Sequence, residues 1–288
     1  MPNPQDPYKR VSLLKNRRSR RNPHAYYSTY LNREVKLDMY LPPFYATRAE
    51  SYPVMYFQDG QDVAMMGLCG IMDELILDQA IAPFVVVGVH ANEDRMAEYG
   101  VASTSDYRGR GSSAPLYTQF LLQELKPNLE KTFRLNSGPN HNAIAGFSLG
   151  GLTAFDLAWH HPETFGKVGV FSGSFWWRQR ALDDGYENTR DRIMHNIVRE
   201  TADHKGLRMW FETGTLDETS DRNGNGIIDA IDDTLDLIAL IESKGYRQPH
   251  DIVYREVEGG RHDVPTWRDI MPEFLSWVME HPQKLHGF

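Results

Sequence analysis

The chain has 288 residues, of which 41% are hydrophobic and 24% are charged, so it is long and apolar enough to bury the core of one large domain. Its net charge of −8 disfavours nucleic-acid binding, and no apolar run approaches the roughly 18 residues of a membrane span. The single cysteine, Cys69, excludes an intrachain disulfide. Because the N-terminus lacks the apolar stretch of a secretory signal, we expect a cytoplasmic protein. An extracellular protein stays open if such a signal has been removed.

Basic residues are concentrated at the N-terminus, where residues 1–21 carry seven basic side chains and one acidic one. This run is typical of a nucleic-acid patch or of a solvated arm, and we favour the arm because the remainder of the chain is acidic. The sequence therefore predicts a basic N-terminal arm over residues 1–24, followed by a single domain over residues 25–288.

Short apolar runs alternate with longer helical patterns along the domain. Residues 26–43 predict an antiparallel hairpin with a tight turn at 31–33. Strands are predicted at 52–58, 84–89, 141–147, 167–172, 207–214 and 251–257. Helices are predicted at 115–132 with a break at Pro127, and at 149–160, 230–244 and 265–280. Such alternation predicts an α/β fold with a mostly parallel sheet and helices on both faces.

The motif G-x-S-x-G occurs at residues 146–150, between a predicted strand and a predicted helix. In this setting the central serine sits in a sharp, strained turn, and the flanking glycines let the neighbouring chain approach closely. The turn exposes the Ser148 hydroxyl and directs the Leu149 N–H toward a developing oxyanion. We expect the second oxyanion donor to be the Gln61 N–H, in the turn after the strand at 52–58.

A serine hydroxyl needs a base to accept its proton, and hydrolases with this motif order the chain as serine, acid, histidine. His262 follows the final predicted strand and is therefore our candidate base. The acid should follow the strand at 207–214, where Asp217 and Glu218 are both available. We favour Asp217, whereas Glu212 lies inside the strand and is expected to be structural.

The sequence DRNGNGIIDAID, residues 221–232, is similar to an EF-hand loop. Its polar pattern suits Ca²⁺, although an aspartate replaces the glutamate at the last position. The alternative is a polar surface loop stiffened by Asn–Gly turns. We hypothesise that Ca²⁺ fixes the loop that carries the acid without touching substrate. The candidate ligands are Asp221, Asn223, Asn225, the Ile227 carbonyl, Asp229 and Asp232.

Several longer strings show a resemblance to a known family. VVVGVHANEDRMAEY, AIAGFSLGGLTAFDLAWHHPETFGKVGVFSGSFWW and VEGGRHDVPTWRDIMPEFLSWV are the most specific of them, and the similarity extends from about Tyr26 to Trp277. The chain resembles the putative-esterase family, which includes esterase D, enterochelin-esterase-like enzymes and feruloyl esterases. This resemblance implies an α/β-hydrolase fold without a lid domain, and carboxylic-ester hydrolysis without a cofactor.

Matched position by position, the resemblance implies Ser148 as nucleophile, His262 as base and the Gln61–Leu149 pair as oxyanion hole. The family varies between Asp and Glu at its acid, so the choice between Asp217 and Glu218 stays open. Trp176 and Trp177 are implied to line the substrate pocket, with core packing as the alternative. The EF-hand-like loop is not general to the family.

The sequence therefore predicts a serine esterase that acts on a small-molecule ester through an acyl-enzyme intermediate. It predicts no nucleic-acid or membrane partner, and a monomer or a homodimer. One alternative is an acyltransferase in which an alcohol replaces water. Another is a non-catalytic binding module on the same fold.

Overall fold

The computed structural model describes residues 17–201 and 206–280. Eight strands form one sheet in the order β1-β2-β4-β3-β5-β6-β7-β8. β1 pairs with β2, and β2 with β4, in antiparallel fashion, whereas the other neighbours are parallel. The mostly parallel sheet with an antiparallel N-terminal hairpin is as the sequence predicts.

The strands are β1 (Arg20–Ser28), β2 (Arg33–Leu41), β3 (Val54–Gln58), β4 (Val85–Val89), β5 (Asn142–Phe147), β6 (Lys167–Phe171), β7 (Arg208–Leu216) and β8 (Ile252–Arg261). The α-helices are α1 (Gly60–Met65), α2 (Leu68–Leu77), α3 (Arg95–Glu98), α4 (Ala114–Gln119), α5 (Lys126–Thr132), α6 (Leu149–His160), α7 (Asn188–Asp191), α8 (Ile193–Glu200), α9 (Asp229–Ser243) and α10 (Val264–Val278).

The N-terminal boundary differs from the prediction. β1 begins at Arg20 and pairs residue by residue with β2, so residues 20–24 belong to the sheet and not to an arm. Most of the β1 side chains are exposed, because an edge strand needs backbone pairing but no continuous apolar face. Arg21 also forms an ion pair with buried Asp38 on β2, with 2.8 Å between Nε and Oδ1. Residues 1–16 of the predicted arm lie outside the described residues.

Two apolar cores cover the two faces of the sheet. One contains side chains of α4, α6, α8 and α9, including Tyr117, Leu152 and Leu237. The other contains side chains of α1, α2 and α10, including Val63, Met72 and Phe274. Helices therefore cover both faces, which leaves the ends of the strands open for a site.

Pro127 does not break its helix, contrary to the prediction. α4 continues through a π-helical segment, Phe120–Leu125, directly into α5. A proline lacks an N–H and its ring crowds the carbonyl four residues earlier, and here the π-helical turn directly before Pro127 changes the bonding pattern at the point where the α-helical bond would be lost. Within the described residues, no helix is long and apolar enough to cross a membrane.

Candidate active site

Ser148 occupies the turn between β5 and α6 and has a left-handed backbone, with φ 55° and ψ −121°. This conformation is strained for a residue with a side chain. Two backbone bonds hold it, since the Ser148 N–H donates to the Phe171 carbonyl at 2.8 Å and the Ser148 carbonyl accepts from Ser174 at 3.1 Å. The turn that the motif predicts is therefore present, with its serine half-buried.

The two glycines of the motif allow this turn. A Cβ on Gly146 would lie 2.3 Å from the Gly150 carbonyl oxygen, and a Cβ on Gly150 would lie 2.4 Å from a carboxylate oxygen of Asp59. Both distances are far below van der Waals contact. The turn thus packs against the start of α6 on one side and against Asp59, the residue that follows β3, on the other.

The predicted oxyanion donors start two helices at the same edge of the sheet. Leu149 is the first residue of α6 and Gln61 is the second residue of α1. In the described part of the chain, no hydrogen-bond acceptor is assigned to the backbone N–H of either residue. The Gln61 side chain is held in place, because its Oε1 accepts from the Ala91 N–H at 3.1 Å. Both N–H groups are therefore free to bind an incoming oxygen.

Asp59 and Arg95 form a charged pair beside this turn. Arg95 donates two hydrogen bonds to the Asp59 carboxylate, from Nε at 2.7 Å and from Nη2 at 2.8 Å. Asp59 is fully buried and has a left-handed backbone with φ 59°. The two-pronged pair fixes the turn that carries Gln61.

The candidate acid and base leave the sheet from neighbouring strands. Asp217 directly follows β7 and His262 directly follows β8. His262 is exposed, yet partial desolvation by the surrounding protein and the positive charge of Arg95 lower its pKa below 6.5, while Asp217 opposes that shift. The two residues are thus within electrostatic reach of each other, although no hydrogen bond joins them in the described structure.

An aromatic chain connects the base to the nucleophile turn. The His262 ring packs edge-on against Trp267, with 5.4 Å between ring centroids. Trp267 stacks on Phe147 at 4.6 Å, and Phe147 directly precedes Ser148. The indole N–H of Trp267 also donates to the Ser172 hydroxyl at 3.0 Å. Trp267 therefore orients the imidazole relative to the turn, although Ser148 and His262 are not hydrogen-bonded in this structure.

Asp217 and Glu218 face different surroundings. Both carboxylate oxygens of Asp217 are shielded from solvent and lie outside hydrogen-bond geometry with any donor in the described residues. Burial raises the pKa of Asp217, and the nearby Ser172 hydroxyl, Gly214 N–H and His262 oppose the rise. Burial also raises the pKa of Glu218, but there the neighbouring charges are Asp229 and Asp233. Of the two candidate acids, Asp217 is the one whose charge acts on His262, as does the charge of the adjacent Asp263.

Two further polar residues belong to this region. The Ser174 hydroxyl lies 3.4 Å from that of Ser148 and is buried. Ser174 is not among the residues predicted for the site, although the small polar run SGS directly after β6 places it at the right edge of the sheet. Glu212 is buried in β7, where burial and the nearby Asp217 raise its pKa to about 8.

The two tryptophans after β6 separate into different environments. Trp177 is fully buried and its ring packs against Gly100 and Gly111, so it belongs to the core and does not line a pocket, contrary to the prediction. Its neighbour Trp176 is partly exposed and lines a cavity of about 420 Å³. Adjacent residues in irregular chain point in unrelated directions, which the sequence alone does not reveal.

The loop at 221–232 satisfies its polar groups internally. The Asp221 carboxylate accepts hydrogen bonds from the backbone N–H groups of Gly224, Asn225 and Gly226, at 2.8 to 3.2 Å. Asp232 accepts from the side-chain amides of Asn223 and Asn225, both at 2.8 Å.

Asp229, another predicted ligand, lies 3.3 Å from the Arg222 guanidinium. No group of three or more His, Cys, Asp or Glu residues in the described chain is arranged to hold a metal. Four predicted ligands, Asp221, Asn223, Asn225 and Asp232, nevertheless lie around one loop. For Ca²⁺ to bind there, the side-chain amides of Asn223 and Asn225 would have to rotate, so that their oxygens and not their nitrogens face the ion.

A model of the family described as "Putative esterase" matches residues 28–278 of the chain. The chain belongs to the putative-esterase family. It is 32% identical over 157 residues to an endo-1,4-beta-xylanase/feruloyl esterase of Xylanibacter ruminicola, a match that covers 51% of this chain and 20% of that protein. It is 26% identical over 229 residues to the iron(III) enterobactin esterase of Escherichia coli K12, covering 76% and 48%. This family member thus spans less than half the length of either relative.

Solved structures share its fold. A ferulic acid esterase superimposes with a TM-score of 0.71 at 18% identity, covering 92% of this family member and 98% of that chain. An enterobactin esterase from Shigella flexneri, determined in the presence of enterobactin, also gives 0.71, at 21% identity and with 92% and 59% coverage. These similarities confirm the predicted α/β-hydrolase fold.

Proposed function

We propose that the protein is a serine carboxylic-ester hydrolase in which Ser148, His262 and Asp217 form a catalytic triad. The observation that carries the proposal is the strained Ser148 turn, joined through Phe147 and Trp267 to the His262 ring. Such strain costs free energy wherever it occurs, and strained residues are concentrated at functional sites, where their position matters for the chemistry. The family supports ester hydrolysis as the reaction class.

In the proposed reaction, His262 removes the Ser148 proton as the oxygen attacks the ester carbonyl. The Gln61 and Leu149 N–H groups bind the resulting oxyanion. His262 then protonates the leaving alcohol, and a water molecule activated by the same imidazole releases the acid from Ser148. Asp217 holds the imidazole in the required tautomer and stabilises its protonated form. Asp217 is preferred to Glu218 because its carboxylate acts on His262.

The test is turnover of p-nitrophenyl acyl esters, methyl ferulate and enterobactin by the wild type, by Ser148→Ala and by Ser137→Ala. The two named substrates follow the names of the relatives. Ser137 is exposed and outside the site, so it controls for loss of a hydroxyl. We expect Ser148→Ala to lose about 10⁶-fold in kcat and Ser137→Ala to behave as the wild type. A fluorophosphonate should label Ser148.

The remaining choices are decided with the same assay. Asp217→Asn should lower kcat by about 10⁴-fold, whereas Glu218→Gln should retain most activity. The reverse result would assign the acid to Glu218. Adding an acceptor alcohol and analysing the products separates hydrolysis from acyl transfer. If no ester is turned over and Ser148 is not labelled, the protein is a binding module and the proposed function is wrong.

A further inference from the structure

The cavity lined by Trp176 lies at the same edge of the sheet as the proposed catalytic residues, because Trp176 follows β6 and Glu218 follows β7. Trp176 comes two residues after Ser174, whose hydroxyl contacts that of Ser148. Glu218, which also lines the cavity, directly follows Asp217. The cavity volume of about 420 Å³ is within the range of small-molecule sites. None of the proposed triad residues lines the cavity, so a group attached to an ester bound at Ser148 would reach it only by extending along this edge of the sheet.

Three arginines surround two aromatic rings on one wall of this cavity. The guanidinium groups of Arg108 and Arg178 lie 5.3 Å and 5.2 Å from the centre of the Tyr107 ring. The Arg110 guanidinium lies 4.9 Å from the centre of the Trp176 ring, and that of Arg178 lies 6.0 Å from it. Stacking on an aromatic face holds a guanidinium group in place while its edge can still donate hydrogen bonds. The Arg110 edge donates to Asp106, and Nη1 of Arg178 lies 3.5 Å from the Trp176 carbonyl oxygen that accepts from it.

This wall, defined here as the arginine wall (Tyr107, Arg108, Arg110, Trp176 and Arg178), has more positive than negative charge. Arg110 is paired with buried Asp106. In the described chain, no carboxylate lies within ion-pair distance of Arg108 or Arg178. The Nε of Arg178 is buried without a hydrogen-bond acceptor. A buried N–H without an acceptor costs free energy, and a ligand oxygen that accepted a hydrogen bond from it would offset that cost.

The acidic residues that line the same cavity are largely occupied by other partners. Asp229 pairs with Arg222, and Asp221 accepts three backbone N–H groups of its own loop. Burial raises the pKa of Glu218, which favours its neutral form. The two guanidinium groups without carboxylate partners are therefore available to an anion that enters the cavity.

From this arrangement we infer that the arginine wall binds a carboxylate, or a similar anion, on an aromatic part of the ester substrate. The inference rests on the proposed function and adds the substrate class. The flat guanidinium edges match a carboxylate, and the faces of Trp176 and Tyr107 match an aryl ring. The anionic group belongs either to the acyl part or to the alcohol part of the ester.

Two matched pairs of esters test the inference. On the acyl side, p-nitrophenyl 4-carboxybenzoate is compared with its neutral analogue, p-nitrophenyl 4-carbamoylbenzoate. On the alcohol side, 4-acetoxybenzoate is compared with 4-acetoxybenzamide. We expect the wild type to prefer the anionic member of one pair by about tenfold or more in kcat/KM at low salt. The preference should shrink at about 0.5 M NaCl, because salt screens exposed charges.

Arginine variants connect that preference to the wall. Arg178→Gln should reduce the anionic-to-neutral ratio about tenfold, and Arg178→Lys should reduce it less, because charge is kept while the planar fork is lost. Arg48→Gln is the charge-matched control. Arg48 is exposed, precedes β3 and so lies near the opposite edge of the sheet, and this variant should keep the wild-type ratio. Thermal melting establishes that each variant is folded.

The outcomes separate the two proposals. Turnover by wild type with no preference in either pair, or an unchanged ratio in folded Arg178→Gln, overturns the inference and leaves the esterase intact. Absence of turnover with every ester, together with an unlabelled Ser148, rejects the proposed function and this inference with it.

Discussion

Leu216 and Arg261 form the last bridge of the ladder between β7 and β8, and the next residues of the two strands are Asp217 and His262. The candidate acid and base therefore leave the sheet side by side. An irregularity in pairing between Gly214 and Leu216 precedes this bridge. The relative position of the two side chains thus depends on how closely the last residues of the two strands approach.

Gly214→Ala tests that dependence. A Cβ at Gly214 would lie 2.4 Å from the Gly260 carbonyl oxygen and 2.8 Å from a carboxylate oxygen of Asp217, so β8 and the acid must both move. We expect kcat/KM for ester hydrolysis to fall about 100-fold, since displacements near 1 Å have effects of that size. The measurement is steady-state kinetics on the best ester of the panel.

Gly70→Ala is the matched control for that change. Gly70 lies in α2 with no atom within 4 Å of an added Cβ, so alanine should leave activity unchanged and stabilise the helix by up to about 1 kcal/mol. Wild-type activity in Gly214→Ala would show that the strand ends do not position the acid and base.

Asp59→Asn should destabilise the fold strongly, because it leaves Arg95 beside a buried neutral side chain. We expect a loss of about 3 kcal/mol in the free energy of unfolding, measured by urea denaturation. The double variant Asp59→Asn/Arg95→Met should recover part of that loss, since it removes the uncompensated charge. Glu50→Gln, which breaks the exposed pair with Arg48, should change stability by no more than about 0.5 kcal/mol. The single variant Arg95→Met completes the comparison. If the changes in unfolding free energy of Asp59→Asn and Arg95→Met sum to that of the double variant, the pair is not coupled.

The pH profile should report His262. The proposed reaction needs a neutral imidazole, and partial desolvation together with Arg95 lowers the pKa of His262 below 6.5. Activity is therefore lost only as the pH falls through that lowered value, so the acid limb of kcat/KM should have its midpoint below pH 6.5. Rates between pH 4.5 and 9 with an uncharged ester measure it, and an NMR titration of the imidazole in Ser148→Ala identifies the group. A midpoint above pH 6.5 would contradict the lowered pKa.

Calcium should stabilise the protein if the loop at 221–232 binds it. Millimolar CaCl₂ should raise Tm by a few degrees and EGTA should reverse the rise, as expected for a weak site that binds only the folded chain. Asp221→Asn should abolish the response, while Asp183→Asn, at an exposed position outside the loop, should retain it. If neither Ca²⁺ nor EGTA changes Tm or ester turnover, the loop is a polar turn that is stabilised by its own hydrogen bonds to Asp221 and Asp232.

The order and boundaries of the central elements were predictable because their signals are local. Buried parallel strands such as β4 are continuous apolar runs, and α6 ends where His161 precedes a proline. The position of Ser148 followed from its motif and flanking elements. The placement of Asp217 and His262 at the ends of two neighbouring strands followed from chain order and from the expectation that parallel strands end at one edge.

What escaped prediction depends on contacts between distant segments. The ion pair of Asp59 with Arg95 joins residues 36 apart, and no local pattern marks either as a partner. Trp177 was placed in a pocket although its ring is enclosed by glycines of another loop. The basic start of β1 gave no strand signal, because pairing with β2 and not side-chain burial defines it.

The nucleophile and the base differ in how firmly the fold holds them. Ser148 follows β5, in the interior of the sheet, whereas His262 follows β8, the last strand in the order and paired on one side only. Border strands open at lower free energy than interior ones. Mild heating should therefore open the end of β8 and displace the His262 side chain while most of the sheet is still intact. The resulting protein would be folded but inactive, and it would regain its activity when cooled.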